Sequence, residues 1–126
     1  LVARYRRALA GGHGVELLEF EPGTESAAHL MPIRVADRGT LQARLAAAGI
    51  ETGIHYPTPP HRTEAYARVA RWPELPNSDQ WAAQELSLPL GPALSDADAD
   101  RVIAAVRAAQ AGAADREAVF SLGATG

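Results

Sequence analysis

The sequence predicts an α/β fold of the α+β kind: a short sheet with helices packed on one face. Three observations predict it. Short apolar runs of strand length alternate with stretches whose apolar residues fall three or four apart. A strand–helix–Gly–strand rhythm fills residues 29–55. The chain has 126 residues, 47% hydrophobic and 21% charged, enough for one core in a soluble domain. Alanine dominates the apolar count, which favours helices over a voluminous core.

Residues 1–10, LVARYRRALA, read as a helix with Leu1, Tyr5 and Leu9 on one face, ended by Gly11-Gly12. A helix that starts without a cap, on a chain that starts without Met, is expected of a piece cut from something longer. Residues 15–20 read as a strand closed by a Pro22-Gly23 turn, and residues 29–35, HLMPIRV, as a second. Pro32 removes a ladder donor, so this second strand is expected at an edge or a bulge. Asp37 caps a helix through about Ala48 with Leu41, Leu45 and Ala48 buried, and Gly49 stops it. Residues 50–55, IETGIH, read as a third strand.

YPTPP at 56–60 is a stiff extended loop. A helix over about 63–71 follows, then another opened by Asn77 with Gln80 in a capping box and carrying Trp81. Residues 87–90 form a short apolar segment. Ser95 and Asp98 make a second capping box, opening a helix from 96 to about 110 that buries Val102, Ile103, Val106 and Ala109. Residues 111–126 read as a flexible tail.

Several functions are excluded. With no cysteine there is neither disulfide nor thiolate chemistry. No run reaches membrane-span length, and the net charge of −3 gives no basic track for nucleic acid. A cytoplasmic setting is expected. All 12 of the Lys+Arg residues are arginine, so no side chain can form a Schiff base through a primary amine.

The most unusual segment is GIHYPTPPH, residues 53–61, where His55, Tyr56 and His61 sit among three prolines. Prolines hold polar side chains in place at low entropic cost, so these three read either as a binding edge or as a rigid connector that merely packs. Arg34, inside a strand, reads either as a bidentate anion ligand or as a solvent-facing charge. No metal site is expected, because His55 and His61 have no carboxylate or thiol nearby and zinc takes three or four ligands. Asp96, Asp98 and Asp100 lack the glycine and distal Glu of a calcium loop and read as helix capping. His13 and His29 read as surface or structural residues.

Taken in order, HLMPIRVADRGTLQARLAAAGIETGIHYPTPPHRTEAYA followed by LPNSDQWAAQELSLPLGPALSDADADRVIAAV resembles the C-terminal region of the DegT/DnrJ/StrS-type sugar aminotransferases. The HYP-x-P-x-H element and the correctly placed LSLP element carry the likeness, over about residues 27–108. The resemblance implies the small domain of a fold-type I aminotransferase. Residues 1–12 would be the end of an interdomain helix and 13–110 the small domain. It implies pyridoxal phosphate held on a lysine of a large domain, a homodimer mate, and amino transfer to a nucleotide-linked keto-sugar or a cyclitol. It places His55 and Tyr56, and less directly His61, at the edge of the substrate cleft. The lysine-bearing domain is outside this sequence, so no catalytic residue is expected here and the chain alone is expected to be inactive. The rival expectation is a free-standing binding module derived from that domain.

Overall fold

The structure is a computed structural model that describes residues 1–12, 14–69 and 72–123, with side chains through residue 112 apart from that of residue 67. His13, expected to be a surface or structural residue, lies outside the described residues, as do 70–71 of the expected 63–71 helix. The elements are α1 (Val2–Leu9), β1 (Val15–Leu17), β2 (Met31–Val35), α2 (Arg38–Ala47), a 3-10 turn (Pro60–Arg62), α3 (Glu64–Ala67), α4 (Pro76–Gln84), β3 (Glu85–Leu88) and α5 (Asp96–Gly123).

The three strands form one antiparallel sheet in the order β1-β2-β3. Alternation divides it into two faces. Val15, Leu17, Met31, Ile33, Val35, Leu86 and Leu88 point to one face and join Tyr5 and Leu9 of α1, Leu41 and Leu45 of α2, and Ala99, Val102, Ile103 and Val106 of α5 in a single core. Three helices therefore cover one face, as expected. The other face carries Glu16, Pro32, Arg34, Glu85 and Ser87, and α4 meets it through Trp81, over whose ring the Arg34 guanidinium lies at 5.4 Å. This second face builds the site.

The helices begin and end for local reasons. Asp37 accepts from the Thr40 amide at 2.9 Å and opens α2, and Gly49, with φ +72°, takes the left-handed position that closes it. Leu41 and Leu45 are buried as expected, whereas Ala48 is exposed. Ser95 and Asp98 exchange the hydrogen bonds of a capping box, Asp98 N–H to Ser95 Oγ at 3.1 Å and Ser95 N–H to Asp98 Oδ2 at 3.0 Å. Tyr5, fully buried, donates its hydroxyl to the Pro89 carbonyl at 2.9 Å and so ties α1 to the chain leaving β3. Arg4 reaches Asp96 at 2.5 Å and Asp100 at 2.8 Å, joining α1 to the first turn of α5.

Several expectations are corrected. Pro32 lies in the central strand, opposite Ser87; β1 stops at Leu17 opposite Ile33, so the sheet is open on that side where the proline sits. β1 ends three residues early because Arg6 takes the Leu18 carbonyl at 2.7 Å, and Leu18 and Phe20 are exposed. Residues 50–55 form no strand: they touch β3 at a single bridge, Gly53 to Ser87. Immediately beyond it His55 folds back over Gly53, where a Cβ would stand 2.5 Å from its Cε1. The helix after the proline loop is one turn, since Thr63 spends its hydroxyl on the Pro60 carbonyl at 2.7 Å and makes no cap. α4 starts on Pro76 rather than at Asn77, with Leu75 as its N-cap and no side-chain cap bond; a proline in the first turn needs no donor. α5 continues to Gly123, through most of the segment expected as a tail.

Candidate functional site

The polar face of the sheet, the proline loop and α4 enclose an open cleft of about 580 Å³. Its floor is Pro32 of β2 and Glu85 of β3, its far wall Trp81 and Ala82 of α4, and its rim His55, Tyr56, Thr58, Pro59 and Tyr66. The walls are mainly apolar with a few polar groups, the usual make-up of a small-molecule site. Tyr56 is 72% exposed and stands on the rim, edge-to-face with His55 at 5.6 Å between ring centroids. Tyr66 and Trp72, both half-exposed, make a second edge-to-face pair beside it.

Beneath His55 lies a chain of three polar side chains. Glu85, although only 3% exposed, accepts the His55 backbone N–H at 2.7 Å on one oxygen and the Ser87 hydroxyl at 2.5 Å on the other. Ser87 Oγ in turn lies 3.0 Å from His55 Nδ1. Both carboxylate oxygens are thus engaged in holding one residue of the rim.

The four residues singled out from the sequence divide. His55 and Tyr56 line the cleft. His61 does not: its side chain is 7% exposed and its Nε2 meets Asp79 Oδ1 at 3.0 Å. Arg62 clamps the same carboxylate from 3.1 and 2.8 Å. The Arg62 hydrogen bonds, with His61 beside them, hold the Asp79 carboxyl below the usual carboxylate range. This cluster pins the proline loop to α4. Arg34 also lies away from the cleft, behind Trp81, where its guanidinium binds the carboxylate of Glu16, its cross-strand neighbour. It does bind a carboxylate, but one of its own chain.

Glu85, Ser87 and Trp81 were missed by sequence reasoning. The available signal was two polar residues, i and i+2, in a run otherwise fit for a buried strand, which puts both on one face. Among the described residues no group of three His, Asp or Glu side chains could hold a metal ion, and no helix is long and apolar enough to cross a membrane.

Comparison with known proteins accords with this arrangement. Residues 1–107 match the DegT/DnrJ/EryC1/StrS aminotransferase family. The chain is 45% identical over 109 residues to the dTDP-3-amino-3,4,6-trideoxy-α-D-glucose transaminase of Streptomyces venezuelae, covering 85% of this chain and 28% of that protein. Its fold is similar to the crystal structure of S. venezuelae DesV in complex with a ketimine intermediate, with a TM-score of 0.79, 43% identity and coverage of 86% of this chain and 30% of that one. It is also similar to a sugar aminotransferase of Streptococcus pneumoniae in its PMP form, with a TM-score of 0.67, 28% identity and coverage of 88% and 29%. The chain spans about 30% of the length of the relatives it matches. It belongs to the DegT/DnrJ/EryC1/StrS aminotransferase family.

Proposed function

We propose that this chain is the small-domain portion of an aminotransferase that uses pyridoxal phosphate and acts on a nucleotide-linked keto-sugar or a cyclitol, with its cleft forming one edge of the substrate site. The observation that carries the reading is the coincidence of family match and geometry. The HYP-x-P-x-H and LSLP elements, whose bonded pairs His55–Glu85 and His55–Ser87 are 30 and 32 positions apart, meet in space as one cleft wall through the Glu85–Ser87–His55 hydrogen bonds.

 Residues that far apart in sequence build one wall only because the bridge at Gly53 lays the loop along β3.

The residues of this chain do not fit the cofactor as its anchor. Among the described residues lining the cleft the only charged side chain is the carboxylate of Glu85, with no cation to hold a phosphate, and the sequence contains no lysine. On this reading the cofactor and the reacting amine belong to a lysine-bearing large domain, with a homodimer mate completing the assembly in the cytoplasm, and the chain alone is inactive. What its own residues contribute is a shaped, mainly apolar wall, a phenol at the rim and an imidazole held from behind. The exposed Tyr56, Tyr66, Val69 and Trp72 beside the cleft support a surface that is covered in the assembly over one built to stand alone.

The test is an amide-resolved NMR titration of the chain with a nucleoside-diphosphate sugar. Shifts gathered at Tyr56, Thr58, Tyr66 and Trp81 are expected. Shifts gathered instead in the arginine-lined groove of Arg4, Arg7 and Arg107 would contradict the assignment of the site.

A further inference from the structure

The hydrogen-bond chain under His55 fixes where the imidazole proton sits. A carboxylate has no hydrogen to give, so the contact between Glu85 and Ser87 uses the single proton of the Ser87 hydroxyl. Ser87 Oγ then has only lone pairs left for His55 Nδ1, 3.0 Å away, and the hydrogen in that contact must be on Nδ1. A neutral imidazole with its proton on Nδ1 has a bare Nε2. No protein group among the described residues bonds Nε2, and the ring lines the cleft. Free histidine favours the opposite form, with the proton on Nε2, so the wall reverses the default.

We propose that Glu85 and Ser87 are positioning residues that hold His55 as the Nδ1–H imidazole, so that Nε2 accepts a hydrogen bond from a substrate hydroxyl or N–H. The neutral ring is then an acceptor for a sugar and not a donor to a phosphate. That substrate assignment rests on the proposed function; the tautomer does not.

Long-range proton–nitrogen NMR correlation on the whole chain reads the tautomer directly, above the pH at which imidazoles lose their charge, with His55→Gln identifying the signals. The expected result is a pyrrole-type Nδ1 and a pyridine-type Nε2. Glu85→Gln supplies the decisive comparison. Its carbonyl keeps the His55 backbone N–H, its amide donates to Ser87 Oγ, and the Ser87 proton turns toward Nδ1. The two nitrogens should then exchange character. Ser87→Ala should move His55 toward the Nε2–H form, and Ser87→Thr should restore the wild-type pattern. A pyrrole-type Nε2 in the unmodified chain would overturn the proposal, as would Glu85→Gln leaving the pattern unchanged while the amide spectrum shows a folded chain. The nucleotide-sugar titration fails or succeeds separately: a fixed tautomer with sugar shifts gathered in the arginine-lined groove contradicts the function and leaves the relay standing, and sugar shifts at the cleft with the other tautomer refute the relay.

Discussion

Tyr5 provides the sharpest test of how α1 is attached. Its ring is fully buried and its hydroxyl donates to the Pro89 carbonyl, and burial, with a smaller contribution from Asp98, pushes its pKa up from 10.0 to about 12. A phenol whose folded pKa is raised stabilises the fold fully below its unfolded value, and that contribution is lost as the pH rises toward the folded one. The window therefore runs from pH 10 to about 12, and a shift of that size corresponds to at most about 3 kcal/mol. The sequence makes the window unusually clean, since no lysine titrates within it. Tyr5→Phe leaves the Pro89 carbonyl without its donor and should cost about 1–2 kcal/mol at pH 8. It should also abolish the alkaline loss, so the stabilities of the two proteins converge as the pH approaches 11.5. Urea unfolding at pH 8, 10 and 11.5 measures both. A Tyr5→Phe chain that loses as much stability as the parent between pH 10 and 11.5 would refute the reasoning.

Two further outcomes follow from the site. Treatment with pyridoxal phosphate and borohydride, then peptide mapping, should yield no adduct on an internal peptide, the N-terminal amine being set aside; a side-chain adduct would contradict the absence of an anchoring amine. Asp79→Ala should speed amide exchange at Arg62, Thr63 and Tyr66 near neutral pH, because it removes the carboxylate shared by His61 and Arg62. With that carboxyl held below its ordinary range, the parent chain should show the same loosening only as the pH falls below about 4. Unchanged exchange in the variant would remove Asp79 from its role in holding the loop.

The parts of the fold legible in the sequence are those set by local chemistry. Asp37 and Gly49 bound α2, Ser95 and Asp98 open α5, and the four-residue spacing of Leu1, Tyr5 and Leu9 marks the buried face of α1. What stayed hidden depends on contacts distant in sequence. The end of β1 is set by an arginine in α1, and Pro32 is tolerated in a central strand because its neighbour stops short. The site divides in the same way. His55 and Tyr56 stood out through their loop, whereas His61 and Arg34 looked available only because Asp79 and Glu16, their partners, lie on other elements. Glu85 and Ser87 read as strand residues until the bridge at Gly53 brings His55 over them.

The proposed role of this cleft wall is to serve a sugar aminotransferase. Grafting residues 1–110 in place of the matching C-terminal segment of a full-length nucleotide-sugar aminotransferase tests it most directly. The expected result is a cofactor-loaded chimera that turns over its sugar substrate, with His55→Ala lowering kcat/KM about tenfold, the size expected for one lost substrate hydrogen bond. A folded, loaded chimera without turnover, or one indifferent to His55→Ala, would contradict it.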